Sequence, residues 1–203
     1  MDGEQIQKLR EHDENLRKMK CEELWRACQI PLLHRKFVEA RTKVEKDRKE
    51  VLDTLIFALG TGFIYGIHAD NDKGKTQVGA WLCRIACNRG KSAMYIRVAD
   101  LFVGLHAAIT NEHGSVLEKA RADLCIPCLL VLDEFGKYKS DSTFAPQELE
   151  NILDKRHTSN HDTLILTNLR LEPFRDRLGP GICSRIKDGG GFIHKDGPSF
   201  RGT

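Results

Sequence analysis

Apolar residues recur along this chain in two rhythms. Over residues 1–28, Ile6, Leu9, Leu16, Met19, Leu24 and Trp25 fall at near-helical spacing. They lie among dense charge that includes Lys8, Arg10, Glu11, Asp13, Glu14, Arg17 and Lys18. This predicts a helix, or a helix pair, with one thin apolar face. Such a face either packs on the chain's own domain or docks a partner protein. Ile30-Pro31 breaks the rhythm, and a basic segment with Leu32, Leu33, His34, Arg35, Lys36 and Phe37 follows. Val51, Leu52, Leu55, Ile56 and Leu59 then mark one face of a helix predicted over 44–59. Gly60-Thr61-Gly62 ends it.

From Phe63 onward, short apolar runs alternate with helical patterns. Strands are predicted at 63–67, 92–98, 128–132, 163–168 and 192–194, and helices at about 75–88, 100–109, 116–124 and 146–153. A last helical stretch over 174–186 is interrupted by Gly179-Pro180-Gly181. Cys128-Leu129-Leu130-Val131-Leu132 is apolar throughout, as a strand buried on both faces must be. Strands alternating with helices predict an α/β fold whose parallel sheet is covered on both sides. Such sheets bind ligands beyond the carboxyl ends of their strands.

Candidate chemistry sits at those ends. Ala69-Asp70-Asn71-Asp72-Lys73-Gly74-Lys75-Thr76 follows the first strand and opens a helix, the context of a phosphate-binding loop. A helix N-terminus offers unpaired N–H groups and partial positive charge. The nucleotide-binding stretch is accordingly Asp72, Lys73, Gly74, Lys75, Thr76 and Gln77. Lys75 would reach the terminal phosphates, and the Thr76 hydroxyl would hold Mg²⁺. Two features depart from the usual pattern. Ala69 stands where a glycine is usual, and the carboxylates Asp70 and Asp72 lie inside the loop. Facing inward, each would oppose an anion by roughly 0.3–1 kcal/mol. They are expected to face solvent, with Lys73 offsetting part of their charge, and nucleotide affinity is expected to be modest.

Asp133-Glu134 ends the fully apolar strand. Asp133 is placed to bind Mg²⁺ opposite Thr76, and Glu134 to polarise a water aimed at the γ-phosphate. Asn168, at the next strand end, could orient that water. Arg185 lies on a helix beyond and is better placed to reach a neighbouring subunit's nucleotide as an arginine finger, with Arg177 as the competing candidate.

Composition narrows the setting. The chain has 203 residues, 40% hydrophobic and 30% charged, which fits one α/β domain with a small appendage. A net charge of only +3 leaves nucleic-acid contact to a local patch. Arg84, Arg89, Lys91 and the loop near 111–113 are candidates for phosphate-backbone contact, with few aromatics among them to stack bases. No apolar run approaches the roughly 20 residues of a membrane span. The N-terminus lacks a signal peptide's apolar core, so a cytoplasmic location is expected. Seven cysteines form no regular framework. Cys125-Ile126-Pro127-Cys128 has the spacing of half a zinc site, but its cysteines read more simply as small residues leading into a strand.

The order of these motifs carries a resemblance. Gly-Lys-Thr at 74–76 is followed by Val98-Ala99-Asp100-Leu101, then Asp133-Glu134-Phe135-Gly136, Leu166-Thr167-Asn168-Leu169, Ser184-Arg185-Ile186 and Ser199-Phe200-Arg201. Over about residues 30–201 the chain resembles the DnaC/IstB-like AAA+ ATPases, which include bacterial and phage replicative-helicase loaders and transposition helpers. The resemblance implies an AAA+ P-loop three-layer fold with a central parallel five-stranded sheet and no C-terminal helical lid. It also implies ATP and Mg²⁺ at subunit interfaces, self-association into a ring or spiral, and single-stranded DNA contact. By this likeness, residues 1–28 are a helical extension that docks a replicative hexameric helicase, and 29–203 are the ATPase domain. Asn168 would sense the γ-phosphate and Arg185 would act in trans. The alternatives are a transposition helper on duplex DNA, a nucleotide-gated adaptor without turnover and, more remotely, a small-molecule P-loop kinase.

Overall fold

The structure is a computed structural model that describes residues 3–40, 46–110, 114–138 and 144–195. The 111–113 loop and Ser199-Phe200-Arg201 lie outside the described residues. Two strands with continuous apolar runs lie side by side, β3 (Leu129–Phe135) and β4 (Asp162–Thr167). With β1 (Ile64–His68), β2 (Ala93–Arg97) and β5 (Gly191–His194) they form one sheet in the order β2-β3-β4-β1-β5, every neighbour parallel. Parallel strands need crossovers, and the helices that make them cover both faces.

One face is covered by α1 (Gly3–Ala27), α2 (Leu32–Glu39), α3 (Lys46–Ala58) and α4 (Lys75–Asn88). The other is covered by α5 (Val98–Thr110), α6 (Gly114–Cys125), α7 (Phe144–Thr158) and α8 (Leu171–Gly189). Strand side chains alternate between the two cores. Leu129, Val131, Leu164 and Leu166 join Val78, Leu82 and Leu55 on the first face. Leu130, Leu132 and Ile165 join Leu101, Leu153 and Phe174 on the second. Positions 129–132 of β3 and 164–166 of β4 are therefore apolar without alternation. These observations establish the expected five-stranded parallel α/β fold.

Several boundaries differ from the sequence expectation. The basic segment 32–39 is a helix, α2, that local periodicity could not resolve because only Val38 is buried. α7 runs to Thr158 rather than ending near 153 because Arg156, a polar residue, is wholly buried. Its guanidinium donates to the carbonyls of Leu124 (2.8 Å), Pro127 (2.9 Å) and Asp162 (2.5 Å) and to the Thr163 hydroxyl (3.0 Å). Burial pulls its pKa down to about 10. β3 continues through Phe135, with a register irregularity between Leu132 and Phe135. α8 is kinked at Gly179 (φ 78°), beside Pro180, where the sequence places an interruption.

The C-terminal end of the long α1 packs on the domain. Residues 5–20 are exposed, whereas Cys21, Trp25 and Cys28 are buried. The Trp25 indole N–H donates to Glu39 (2.9 Å), and the guanidinium groups of Arg35 and Arg84 lie 5.3 Å from the ring centroid. The Tyr95 N–H donates to the Cys28 carbonyl (2.9 Å), which covers part of the free edge of β2.

Candidate functional site

The carboxyl ends of β1, β3 and β4 border a cleft of about 700 Å³. Its floor is the loop between β1 and α4. Gly74, the last residue before α4, has φ 76°, a left-handed conformation that glycine adopts without penalty. The buried Arg48 side chain of α3 packs against it, its Nε 3.0 Å from where a Cβ on Gly74 would stand.

Lys75 is 7% exposed. Its Nζ donates to the carbonyls of Ala69 (2.9 Å) and Asp70 (2.6 Å), so the ammonium lies within the loop. Burial lowers its pKa; Asp133, Asp70 and Asp72 oppose the shift, while Lys137 adds to it. The loop acids thus help keep the lysine charged. Asp70 and Asp72 are both exposed, as expected, although Asp72 also borders the cleft. Lys73 and Gln77 line the cleft as well.

Opposite the loop stands Asp133, 4% exposed. Its Oδ2 accepts from the Thr76 hydroxyl (2.7 Å) and from the Tyr95 hydroxyl, and its Oδ1 accepts from the Glu134 N–H (2.7 Å). Glu134 follows with φ 58°, a conformation that is costly for a side chain with a Cβ and that clusters at functional sites. Its carboxylate pairs with Lys137 at 2.6 Å. Asn168 borders the same cleft just past β4.

The far wall comes from α2, whose Leu33, His34 and Phe37 line the cleft. The His34 ring Nδ1 and Gln77 Oε1 are 3.0 Å apart. This wall, Lys137, Arg48 and Tyr95 are contributions the sequence reading missed. Lys137 lies three residues past Glu134 and could have been found by proximity. The others are brought in by packing and leave no local signature.

The two candidate arginines lie elsewhere. Arg185 pairs with Asp154 at 2.6 Å and does not border the cleft. Arg177 donates to the Gly136 carbonyl (2.6 Å), which ties α8 to the loop after Glu134. The candidate DNA contacts also have intramolecular neighbours. Arg84 bonds Glu22, Arg89 donates to the Ile56 carbonyl (3.1 Å), and Lys91 lies against Gly60.

A hydroxyl and a carboxylate 2.7 Å apart are hard oxygen donors that suit Mg²⁺. Among the described residues, no cluster of three or more His, Cys, Asp or Glu side chains could hold a metal by itself. An ion between Thr76 and Asp133 would therefore complete its coordination with water and phosphate oxygens, as magnesium commonly does.

The sequence profile of the family described as IstB-like ATP binding protein matches residues 9–184. The chain belongs to that family. In this IstB-like protein, every residue that lines the cleft lies within the matched span, and Arg185 lies one position past it. The chain is 32% identical over 116 residues to the replicative helicase loader DnaC of Escherichia coli (strain K12), a match covering 57% of this chain and 46% of that protein. The match to that loader thus spans less than half of its length. It is 27% identical over 194 residues to YdaV, an uncharacterized protein of the same strain, covering 91% of this chain and 76% of that one. A crystal structure of the DnaC helicase loader superposes with a TM-score of 0.63 at 16% identity, covering 76% of this chain and 93% of that one. That likeness supports the AAA+ fold. No helix among the described residues of the IstB-like chain is long and apolar enough to cross a membrane.

Proposed function

We propose that this protein is an ATP-dependent loader of a replicative DNA helicase onto single-stranded DNA. In this reading it acts in the cytoplasm as a self-associating AAA+ ATPase. The observation that carries the proposal is the convergence of Lys75, Thr76, Asp133, Glu134 and Asn168 on one cleft, with Thr76 bonded to Asp133 at 2.7 Å. The similarity to DnaC points to the same class of protein.

The geometry supports the following roles. Backbone amides of Asp72, Lys73, Gly74, Lys75 and Thr76 cradle the phosphates, and Lys75 exchanges its loop carbonyls for phosphate oxygens. Gln77 and the α2 wall face the base. Thr76 and Asp133 would hold magnesium, which would supply charge neutralisation for the phosphates. Glu134 leaves Lys137, orients the attacking water and accepts its proton. Asn168 contacts the γ-phosphate. Arg185 gives up Asp154 and reaches a neighbouring subunit's nucleotide, which makes hydrolysis dependent on assembly. Residues 1–28 dock the hexameric helicase and 29–203 form the ATPase domain. The exposed stripe over residues 5–20 supports the docking role, and Trp25 and Cys28, buried in the core with Val78 and Leu82, anchor the helix to the ATPase domain.

A second reading is a nucleotide-gated adaptor without turnover. Ala69 in the loop and the Glu134–Lys137 pair favour it. ATP turnover, with and without single-stranded DNA and a hexameric helicase, separates the two. A loader hydrolyses ATP, loses turnover in both Lys75→Ala and Glu134→Gln, and forms a complex of defined mass with the helicase. An adaptor shows no turnover to lose. Absence of any helicase complex would overturn the loader assignment.

A further inference from the structure

The geometry points to Tyr95 as a positioning residue whose buried hydroxyl fixes the Asp133 carboxylate for magnesium. This rests on the nucleotide reading of the cleft.

Tyr95 lies on the edge strand β2 and is 3% exposed. Its ring belongs to the core that includes Val78, Val131 and Leu166. It lies beneath α4 near Gly79, where an added Cβ would be 3.9 Å from Tyr95 Cε2. A phenylalanine would fill this space equally well, so packing does not explain the hydroxyl. A phenol buried among apolar side chains is unfavourable unless it has a polar partner, and that partner is Asp133 Oδ2. A carboxylate oxygen accepts, so the phenol O–H is the donor of this bond.

A carboxylate has about four lone-pair positions. Thr76 and Tyr95 occupy those on Oδ2, and the Glu134 N–H takes one on Oδ1. One position remains, on Oδ1. The carboxylate is thus held with a single acceptor direction open to a cation or a cation-bound water. Tyr95 is itself fixed from the other side, because its N–H donates to the Cys28 carbonyl at 2.9 Å. Without its hydroxyl, Oδ2 would keep only Thr76, whose oxygen must also serve the cation, and the carboxylate could rotate.

The test is Mg²⁺ titration of the binding of a fluorescent ATP analogue to the full chain, for the unaltered protein, Tyr95→Phe and Asp133→Asn. Melting temperatures without ligand are recorded alongside. Tyr95→Phe is expected to raise the Mg²⁺ concentration for half-maximal effect about tenfold, as loss of a partner to a metal ligand does, while affinity in EDTA stays within about twofold. Asp133→Asn should shift the Mg²⁺ dependence further in the same direction. An unchanged Mg²⁺ dependence in Tyr95→Phe, with normal uptake by the unaltered protein, overturns the inference alone. Equal weakening with and without Mg²⁺, or a ligand-free chain melting more than about 10 °C lower, assigns the hydroxyl to stability and also overturns it. No nucleotide uptake by the unaltered protein overturns the nucleotide reading and this inference together.

Discussion

Replacing Lys75 by methionine separates the two tasks of that side chain. Its ammonium donates to the carbonyls of Ala69 and Asp70 at 2.9 and 2.6 Å. Bonds involving a charged group contribute roughly 1.5–3 kcal/mol each. Against them stands the cost of burying an ammonium, visible as the lowered pKa of Lys75. Methionine keeps most of the length and apolar contact. The ligand-free stability is therefore expected to change by no more than about 1 kcal/mol, or about 2–4 °C for a chain of this size. Ligand at a hundred times its dissociation constant stabilises a protein by about 2.7 kcal/mol, which corresponds here to roughly 5–11 °C. Lys75→Met should lose nearly all of that nucleotide-dependent shift. The assay is thermal unfolding with and without ATP and Mg²⁺. A variant that keeps more than half of the shift would refute the placement of phosphate at Lys75. The pH dependence has a definite sign. A lysine whose pKa is lowered on folding binds more protons when unfolded, so its effect on stability improves as pH rises toward the ordinary lysine value. The melting difference between the unaltered chain and Lys75→Met should move in the unaltered chain's favour over that window.

Two further outcomes test the framework around the site. Arg156→Ala leaves three buried carbonyls and the Thr163 hydroxyl without their donor and should cost about 3–5 kcal/mol. Chemical denaturation checks this, and a loss under about 1 kcal/mol would contradict the assigned network. Gly79→Ala places a Cβ 2.9 Å from Val131 Cγ1 and 3.1 Å from Leu166 Cδ1. It should destabilise by about 1–3 kcal/mol despite the better helix propensity of alanine. By lifting α4 it should also weaken Mg²⁺-dependent nucleotide binding. An alanine variant as stable as the original, with binding unchanged, would show that α4 has room to spare.

The sequence by itself determined the elements whose partners lie close along the chain. β3 and β4 were legible because burial on both faces makes a run of each apolar without alternation. The loop before α4 was legible because strand, loop and helix are contiguous, and Gly179 and Pro180 marked the kink in α8. The sequence also placed Asp133, Glu134 and Asn168 at strand ends, and so on one side of any parallel sheet. Tertiary structure alone decided which atoms meet there. The order β2-β3-β4-β1-β5 brings Tyr95 under Asp133, although 38 positions separate them. The packing of α2 on α4 sets His34 against Gln77, 43 positions away. The wholly buried Arg156 extends α7 past the point where its apolar pattern fades. Arg185 faces Asp154 rather than the cleft of its own chain. Local periodicity records only whether a position faces solvent or core. It cannot record which distant strand or helix supplies the neighbour, because the order in which the strands assemble, and not their spacing along the chain, fixes that choice.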